Sequence, residues 1–247
     1  MARPFPFKPL FILAAALATV AAVLDIAAGV GTRWGLWDYR TGFSMLRWGA
    51  WTGSAALLYG LWLLVWTGWK GTRRQAGMVV AVTLVAVLAF GGPWAMQRQG
   101  RLVPPIHDIS TDVEEPPSFV ALEQVRRAST NGFDYGGPAV AEQQRAAYPD
   151  IAPLSFAGTP QEAFARARTA AEKLGWEVVA ADEKALRIEA TDTTLLFGFK
   201  DDIVIRIRPA GTVARIDVRS VSRVGRSDFG TNARRVRRFF SQVAAGG

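Results

Sequence analysis

Three long apolar runs dominate the first hundred residues, and after residue 102 the pattern changes to short alternating and helical periods. About 20 apolar residues cross a bilayer as a helix, and the runs at about 9–30, 45–66 and 76–96 reach that length. The first is rich in Ala, Leu, Val and Ile, with Asp25 as its only charge. A cleaved signal peptide is the competing reading of this run, favoured by Arg3, Lys8 and the Ala-rich stretch. The second carries Trp48, Trp51, Trp62, Trp66 and Trp69 toward its ends, where interfacial aromatics sit. In the third, Gly91, Gly92 and Pro93 predict a loosened last turn.

Residues 103–158 open with the proline-rich stretch 102–117, which cannot be helical. Short helices are predicted at 118–127 and 138–147, separated by turn-forming residues. From residue 159 to 247 the periods become regular. Thr159, Pro160 and Glu162 form a capping box with Pro at the first helical position, and Gly175 closes that helix behind the stripe Phe164, Ala167, Ala171 and Leu174. Strands are predicted at 176–180, 185–190 with an extension through 194–199, 203–208 and 213–222. Turns at 182–184, 200–202 and 209–212 join them. A last helix over about 230–243, capped by Ser227 or Asp228, packs Val236, Phe239 or Phe240, and Val243. The fold class is therefore an α+β soluble domain, a four-stranded antiparallel meander flanked by helices, behind three transmembrane α-helices.

Alternation along the strands separates two faces. Leu186, Ile188, Ile203, Ile205, Ile207, Ala214, Ile216 and Val218 form the apolar face, which the helices should cover. Arg187, Glu189, Arg206, Arg208, Arg215, Asp217 and Arg219 gather on the other. Ten Arg stand against two Asp between Ile203 and Phe240. A solvated ladder neutralised by acids from 108–202 is one reading of this face. The other is an anion-binding face of Arg206, Arg208, Arg215 and Arg219 for a lipid headgroup, phosphate or acidic partner.

The net charge of +8 does not imply nucleic acid. Residues 1–102 hold ten basic and two acidic side chains, whereas 103–247 hold nineteen of each. The excess flanks the apolar runs, where Lys and Arg orient helices in a bilayer. Arg3, Lys8, Lys70, Arg73 and Arg74 fall on one side and Arg33, Arg40, Arg47, Arg98 and Arg101 on the other. The tight basic loop 70–74 and the acid-free N-terminal tail favour a cytoplasmic N-terminus, which puts the soluble domain outside the cytoplasm.

Candidate chemistry is sparse, because one His and no Cys exclude multi-His metal sites and Cys nucleophiles. His107, Asp108 and Asp112 could form a sparse metal or acid–base site, or serve as turn-forming groups. Ser227, Asp228 and Asn232 lack a Gly-x-Ser-x-Gly elbow and read as a helix cap. A polar cluster of His107, Asp108, Asp112, Asp150, Arg223, Asp228, Asn232 and Arg235 depends on whether the fold brings them together. Asp25 reads either as a functional intramembrane acid or as a member of an interfacial or interhelical pair. The other spans contain no acid, His or Lys to continue a proton relay.

The stretches Pro104–Asp112, Ala147–Leu154, Asp201–Arg206 and Arg219–Asn232 resemble the bacterial domain-of-unknown-function family 1499 over about residues 102–243. The resemblance implies an envelope-associated domain behind a membrane anchor or export signal, and it implies no reaction. The resulting expectation is a multi-pass, non-enzymatic protein of the bacterial inner membrane with a periplasmic soluble domain. That domain would need no cofactor or metal, would not bind nucleic acid, and would bind an anionic lipid headgroup or an envelope protein partner. The alternative is an enzyme or metal-dependent activity centred on His107, Asp108 and Asp112.

Overall fold

The computed structural model describes residues 6–245. They divide into two compact units, one within Met1–Gln99 together with Leu195–Gly198, the other within Gly100–Thr194 and Phe199–Gly247.

The first unit is built on three helices, α1 (Phe7–Arg33), α2 (Tyr39–Lys70) and α3 (Arg73–Arg101), each long and apolar enough to cross a membrane. All three outrun the predicted spans at both ends. Asp38 extends α2 by capping it, its carboxylate accepting from the Arg40 and Thr41 amides. The third helix runs through Gly91, Gly92 and Pro93 instead of loosening there, since proline removes only one backbone donor from an apolar helix.

Small residues make the seams between these helices. The buried residues of α2 are Gly42, Gly49, Gly53, Ala56, Gly60, Leu63 and Thr67, which from Gly49 onward repeat every three to four positions. Such spacing lets backbones approach closely where lipid offers no hydrophobic drive for association. A Cβ at Gly53 would stand 3.1 Å from the Phe90 amide of α3. One at Gly49 would run into the side chain of Asp25 on α1. Asp25 forms no ion pair among the described residues, and its Oδ1 has no hydrogen-bond partner there.

The second unit contains a six-stranded antiparallel sheet: β1 (Asp108–Ser110), β2 (Leu154–Phe156), β3 (Glu177–Asp182), β4 (Arg187–Thr193), β5 (Lys200–Ala210) and β6 (Val213–Ser222). Its order is β1-β6-β5-β4-β3, and β2 pairs with β6 as well. The four predicted strands are β3 to β6. The two additional ones come from the proline-rich region and share one edge of β6, β1 beside residues 219–221 and β2 beside 214–216. Three-residue strands leave too short an alternation to be seen in sequence.

Two predicted turns move. Leu186, expected in a strand, has φ +51° and belongs to the turn that Asp182 organises by accepting from the Lys184 and Ala185 amides. Residues 200–202, expected as a turn, open β5, and the reversal falls instead at 194–199, where Gly198 adopts φ +67°. Asp201 and Asp202 thereby become strand residues pointing to opposite faces of the sheet.

Helices α4 (Glu123–Arg127), α5 (Gly137–Ala147), α6 (Pro160–Lys173) and α7 (Thr231–Ala245) complete the unit. The capping box of α6 forms as predicted. One face of the sheet packs on α6 and α7 through Ile109, Ile188, Ile203, Ile205, Ile207, Ile216 and Val218 together with Phe164, Trp176, Val236 and Phe239. Each such side chain contributes about 1.5–3 kcal/mol on burial. Gln144 of α5 seals the free edge of β1, accepting from the Ser110 amide at 2.9 Å and donating to its carbonyl at 2.6 Å.

Candidate functional site

The face of the sheet turned away from α6 and α7 is the charged one, and the chain between residues 111 and 135 covers much of it. Phe119 and Leu122 pack there on Val204 of β5 and Val221 of β6. Around this small apolar cluster the strand charges are met by groups from the covering segment.

Arg206 and Arg208 of β5 and Arg215 of β6 converge on a single oxygen. Asp112 Oδ2 lies 3.1, 2.9 and 2.7 Å from them in that order. Asp217 stands beneath and bonds Arg206 and Arg215, while the exposed Glu115 bonds Arg208 from outside. The other oxygen of Asp112 accepts from the Glu114 and Glu115 amides, which fixes the proline-rich turn. Partial burial works to raise the Asp112 carboxyl, but the Glu115 N–H and Arg215, Arg208 and Arg206 outweigh it and hold the group below the usual carboxylate value. The three guanidiniums remain partly exposed.

Arg219, expected on the same open face, is instead interior at 3% exposure. It forms a bidentate pair with Asp108 at 3.0 and 2.7 Å and lies between the rings of Phe119 and Tyr135. Burial first, and then the Asp108 charge, push the Tyr135 hydroxyl up to about 12. Farther along, the fully buried Arg126 of α4 reaches Asp202 at 3.4 Å and donates to Gly132 O at 2.6 Å. Arg223 binds the same Asp202 at 2.8 Å, and Thr191 donates to it at 2.9 Å. Burial pulls the Arg126 guanidinium below the usual arginine range against the opposing pull of Asp202 and Asp108. Glu189 of β4 accepts from the amides of Val120, Ala121 and Leu122 and so caps the turn leading into α4 from another strand.

On the opposite face a second polar network joins β6 to α7. Asn232 accepts from the Ser220 hydroxyl at 2.7 Å and donates to the main-chain carbonyl of His107 at 3.0 Å. Arg235 reaches Asp192 at 2.7 Å and Asp201 at 2.6 Å. Asp228 accepts from the Gly230 and Asn232 amides at the start of α7, and burial raises its carboxyl against those two bonds. Ser227 accepts from the Phe229 amide.

The eight sequence candidates thus occupy four places. His107, through its carbonyl, joins Asp228, Asn232 and Arg235 beside α7. Asp108 and Asp112 lie on the other face, each committed to its own arginines, and Arg223 sits with Asp202. Asp150 forms an exposed pair with Arg237 at 2.6 Å. Among the described residues no group of three or more His, Asp or Glu is placed to hold a metal ion. Residues missed in the sequence are the buried acids Asp201 and Asp202 and the buried Arg126, while Glu189 and Asp217, expected on the charged face, prove buried there as well. The available signal was an acid or base at an inward position of a strand or helix, which demands a partner when buried.

Residues 108–243 match the family described as Protein of unknown function (DUF1499), as the motifs between residues 104 and 232 lead one to expect. No curated protein matches the chain.

Proposed function

We propose, for a chain that belongs to the DUF1499 family, a non-enzymatic role as a multi-pass protein of the bacterial inner membrane whose periplasmic domain binds an anionic lipid headgroup. The observation that carries this reading is the convergence of Arg206, Arg208 and Arg215 on Asp112 Oδ2. Guanidinium forks that hold one carboxylate oxygen also suit a phosphate oxygen from outside. Asp112 then stands in for the ligand, and a headgroup that displaces it exchanges an internal anion for an external one.

The competing reading, an enzyme or metal-dependent site at His107, Asp108 and Asp112, draws no support from this geometry. Asp108 and Asp112 serve different arginines, and alternation along the edge strand directs His107 and Asp108 to opposite faces.

The test is titration of the full chain, in neutral detergent, with short-chain phosphatidylglycerol and phosphatidylcholine at low and high salt. Preference for the anionic lipid that weakens with salt, and that is lost in Arg206→Gln/Arg208→Gln/Arg215→Gln, supports the reading. Equal binding of both lipids at all salt concentrations sinks it. Cross-linking of an envelope protein that requires the same three arginines would replace the lipid with a protein partner.

A further inference from the structure

A cavity of about 300 Å³ opens between the C-terminal end of α6 and the N-terminal half of α7, on the face of the sheet opposite the Arg206 cluster. Trp176 forms part of its wall, 7% exposed and stacked on Phe239 with ring centroids 5.4 Å apart. Thr231, Arg234, Arg235 and Arg238 line it from α7, and Asp192 lines it from β4.

The charges around this cavity do not balance as they do elsewhere in the domain. Arg235 is neutralised by Asp192 and Asp201, and Arg237 by Asp150 on another side of the helix. Arg234 donates only to Phe229 O and to Thr231 Oγ1, each at 3.0 Å. Among the described residues neither Arg234 nor Arg238 has a carboxylate partner. These two stand one turn apart, where like charges repel. Arg234 also lies in the first turn of the helix, where the dipole disfavours cations, and that turn holds no acid. Two guanidiniums without a carboxylate partner, the half-buried Arg234 and the exposed Arg238, stand at the mouth of a cavity and call for an anion from outside.

We propose that this cavity is a phosphate-binding site, in which Arg234 and Arg238 hold the phosphate oxygens and Trp176 packs against the attached carbon skeleton. A dianionic phosphate monoester or a phosphodiester offers enough oxygens and charge for two guanidinium forks. The volume lies at the small end of ligand sites and suits a phosphate with a short polyol rather than a nucleotide. The phosphate comes either from a soluble ester or from a lipid headgroup. The site does not depend on the Arg206 cluster.

The experiment is calorimetric titration of the full chain in neutral detergent with inorganic phosphate, glycerol 3-phosphate and short-chain phosphatidylglycerol. Native protein, Arg234→Gln/Arg238→Gln and the triple variant at Arg206, Arg208 and Arg215 are compared. Saturable binding that weakens at least tenfold in the double variant and persists in the triple variant is expected. Binding of glycerol 3-phosphate identifies a soluble ester as the source, and binding confined to the lipid identifies a headgroup. The proposal is overturned if no probe binds saturably, or if the double variant, folded by circular dichroism, binds as the native chain does.

Discussion

Glu189 accepts the backbone N–H of Val120 at 2.7 Å across 69 residues of sequence, and with the amides of Ala121 and Leu122 it anchors the covering segment to the middle of β4. A carboxylate buried to 1% exposure is stable there because three donors replace its water. Glu189→Gln keeps the shape but turns one acceptor into a donor facing an N–H. The cost should be about 1.5–3 kcal/mol, the range for hydrogen bonds to a charged group. Thermal unfolding of the full chain should show it, together with faster proteolysis between residues 113 and 135. An unchanged melting temperature would mean that the anchor is dispensable.

Arg126 and Asp202 make a further stability prediction. Removing one member of a buried pair leaves an uncompensated charge, at about 3–5 kcal/mol. Arg126→Met should fall at or below the low end of that range, because Asp202 is not left alone. Asp202 retains Arg223 and Thr191, so the loss is shared. Arg126→Met/Asp202→Asn should therefore cost less than the sum of the single changes, with a coupling of about 1–3 kcal/mol. Strict additivity in denaturant titrations would contradict a direct pair.

The dependence on pH follows from Asp112. Its carboxyl is held below the ordinary value of 3.8, so the folded state binds the proton more weakly than the unfolded chain. The stabilisation is present above the unfolded value and is lost as pH falls through the lower, folded one. Asp112→Asn should lower stability at neutral pH and flatten the acid limb below about pH 4. Asp228 acts in the opposite sense. Its carboxyl is raised by burial, so its contribution favours the fold at low pH and fades as pH climbs past 3.8. An acid limb of Asp112→Asn that coincides with the native one would refute the assignment.

The sheet core could be read from the chain because its alternation repeats over many residues, the three long apolar helices because their runs are continuous, and the capping box because Thr159, Pro160 and Glu162 form a local motif. Ile203, Ile205 and Ile207 alternate with Val204, Arg206 and Arg208, and both faces follow from that. The covering segment could not be read. Asp112, Val120 and Arg126 carry no period, and their positions depend on partners about 70 to 100 residues away. The turn expected at 200–202 shows the same limit. Two adjacent acids suggest a solvated turn, yet Asp201 and Asp202 sit in β5 because Arg235 meets one and Arg126 and Arg223 meet the other. An anion face expected to hold Arg219 was reduced to three arginines for the same reason, since only the fold supplies Asp108.

For the unit of three long apolar helices, a cysteine-free chain permits a direct test of packing. Ala56 of α2 and Ala86 of α3 are fully buried in one cluster with Ala18 of α1. Ala56→Cys/Ala86→Cys should cross-link under mild oxidation in membranes. Adding Gly53→Leu places carbon atoms against the backbone at Ala89 and Phe90, which a side-chain rotation cannot relieve. Cross-linking should then drop severalfold. Equal yields with and without Gly53→Leu would show that α2 and α3 do not meet at this seam.

The last prediction concerns orientation, on which every partner of the soluble domain depends. Basic residues near the ends of spans stay in the cytoplasm, and short loops weigh most. Lys70, Arg73 and Arg74 lie within or beside the short connection between α2 and α3, with no acid among them. The opposite ends carry Arg33, Arg40, Arg47, Arg98 and Arg101, which equals the first group once Arg3 and Lys8 are added to it, so the decision rests on the tight cluster in the short connection and on the acid-free N-terminal tail. We therefore expect the α2–α3 connection inside and, with three helices, the chain after Arg101 outside. Alkaline phosphatase fused after residue 247 should be active, and a cytoplasm-only fluorescent protein fused there should stay dark. The reverse result would bring Arg206, Arg208 and Arg215 to the cytoplasmic side. A periplasmic partner would then be ruled out, and the anion proposed for these arginines would have to come from the inner leaflet or the cytosol.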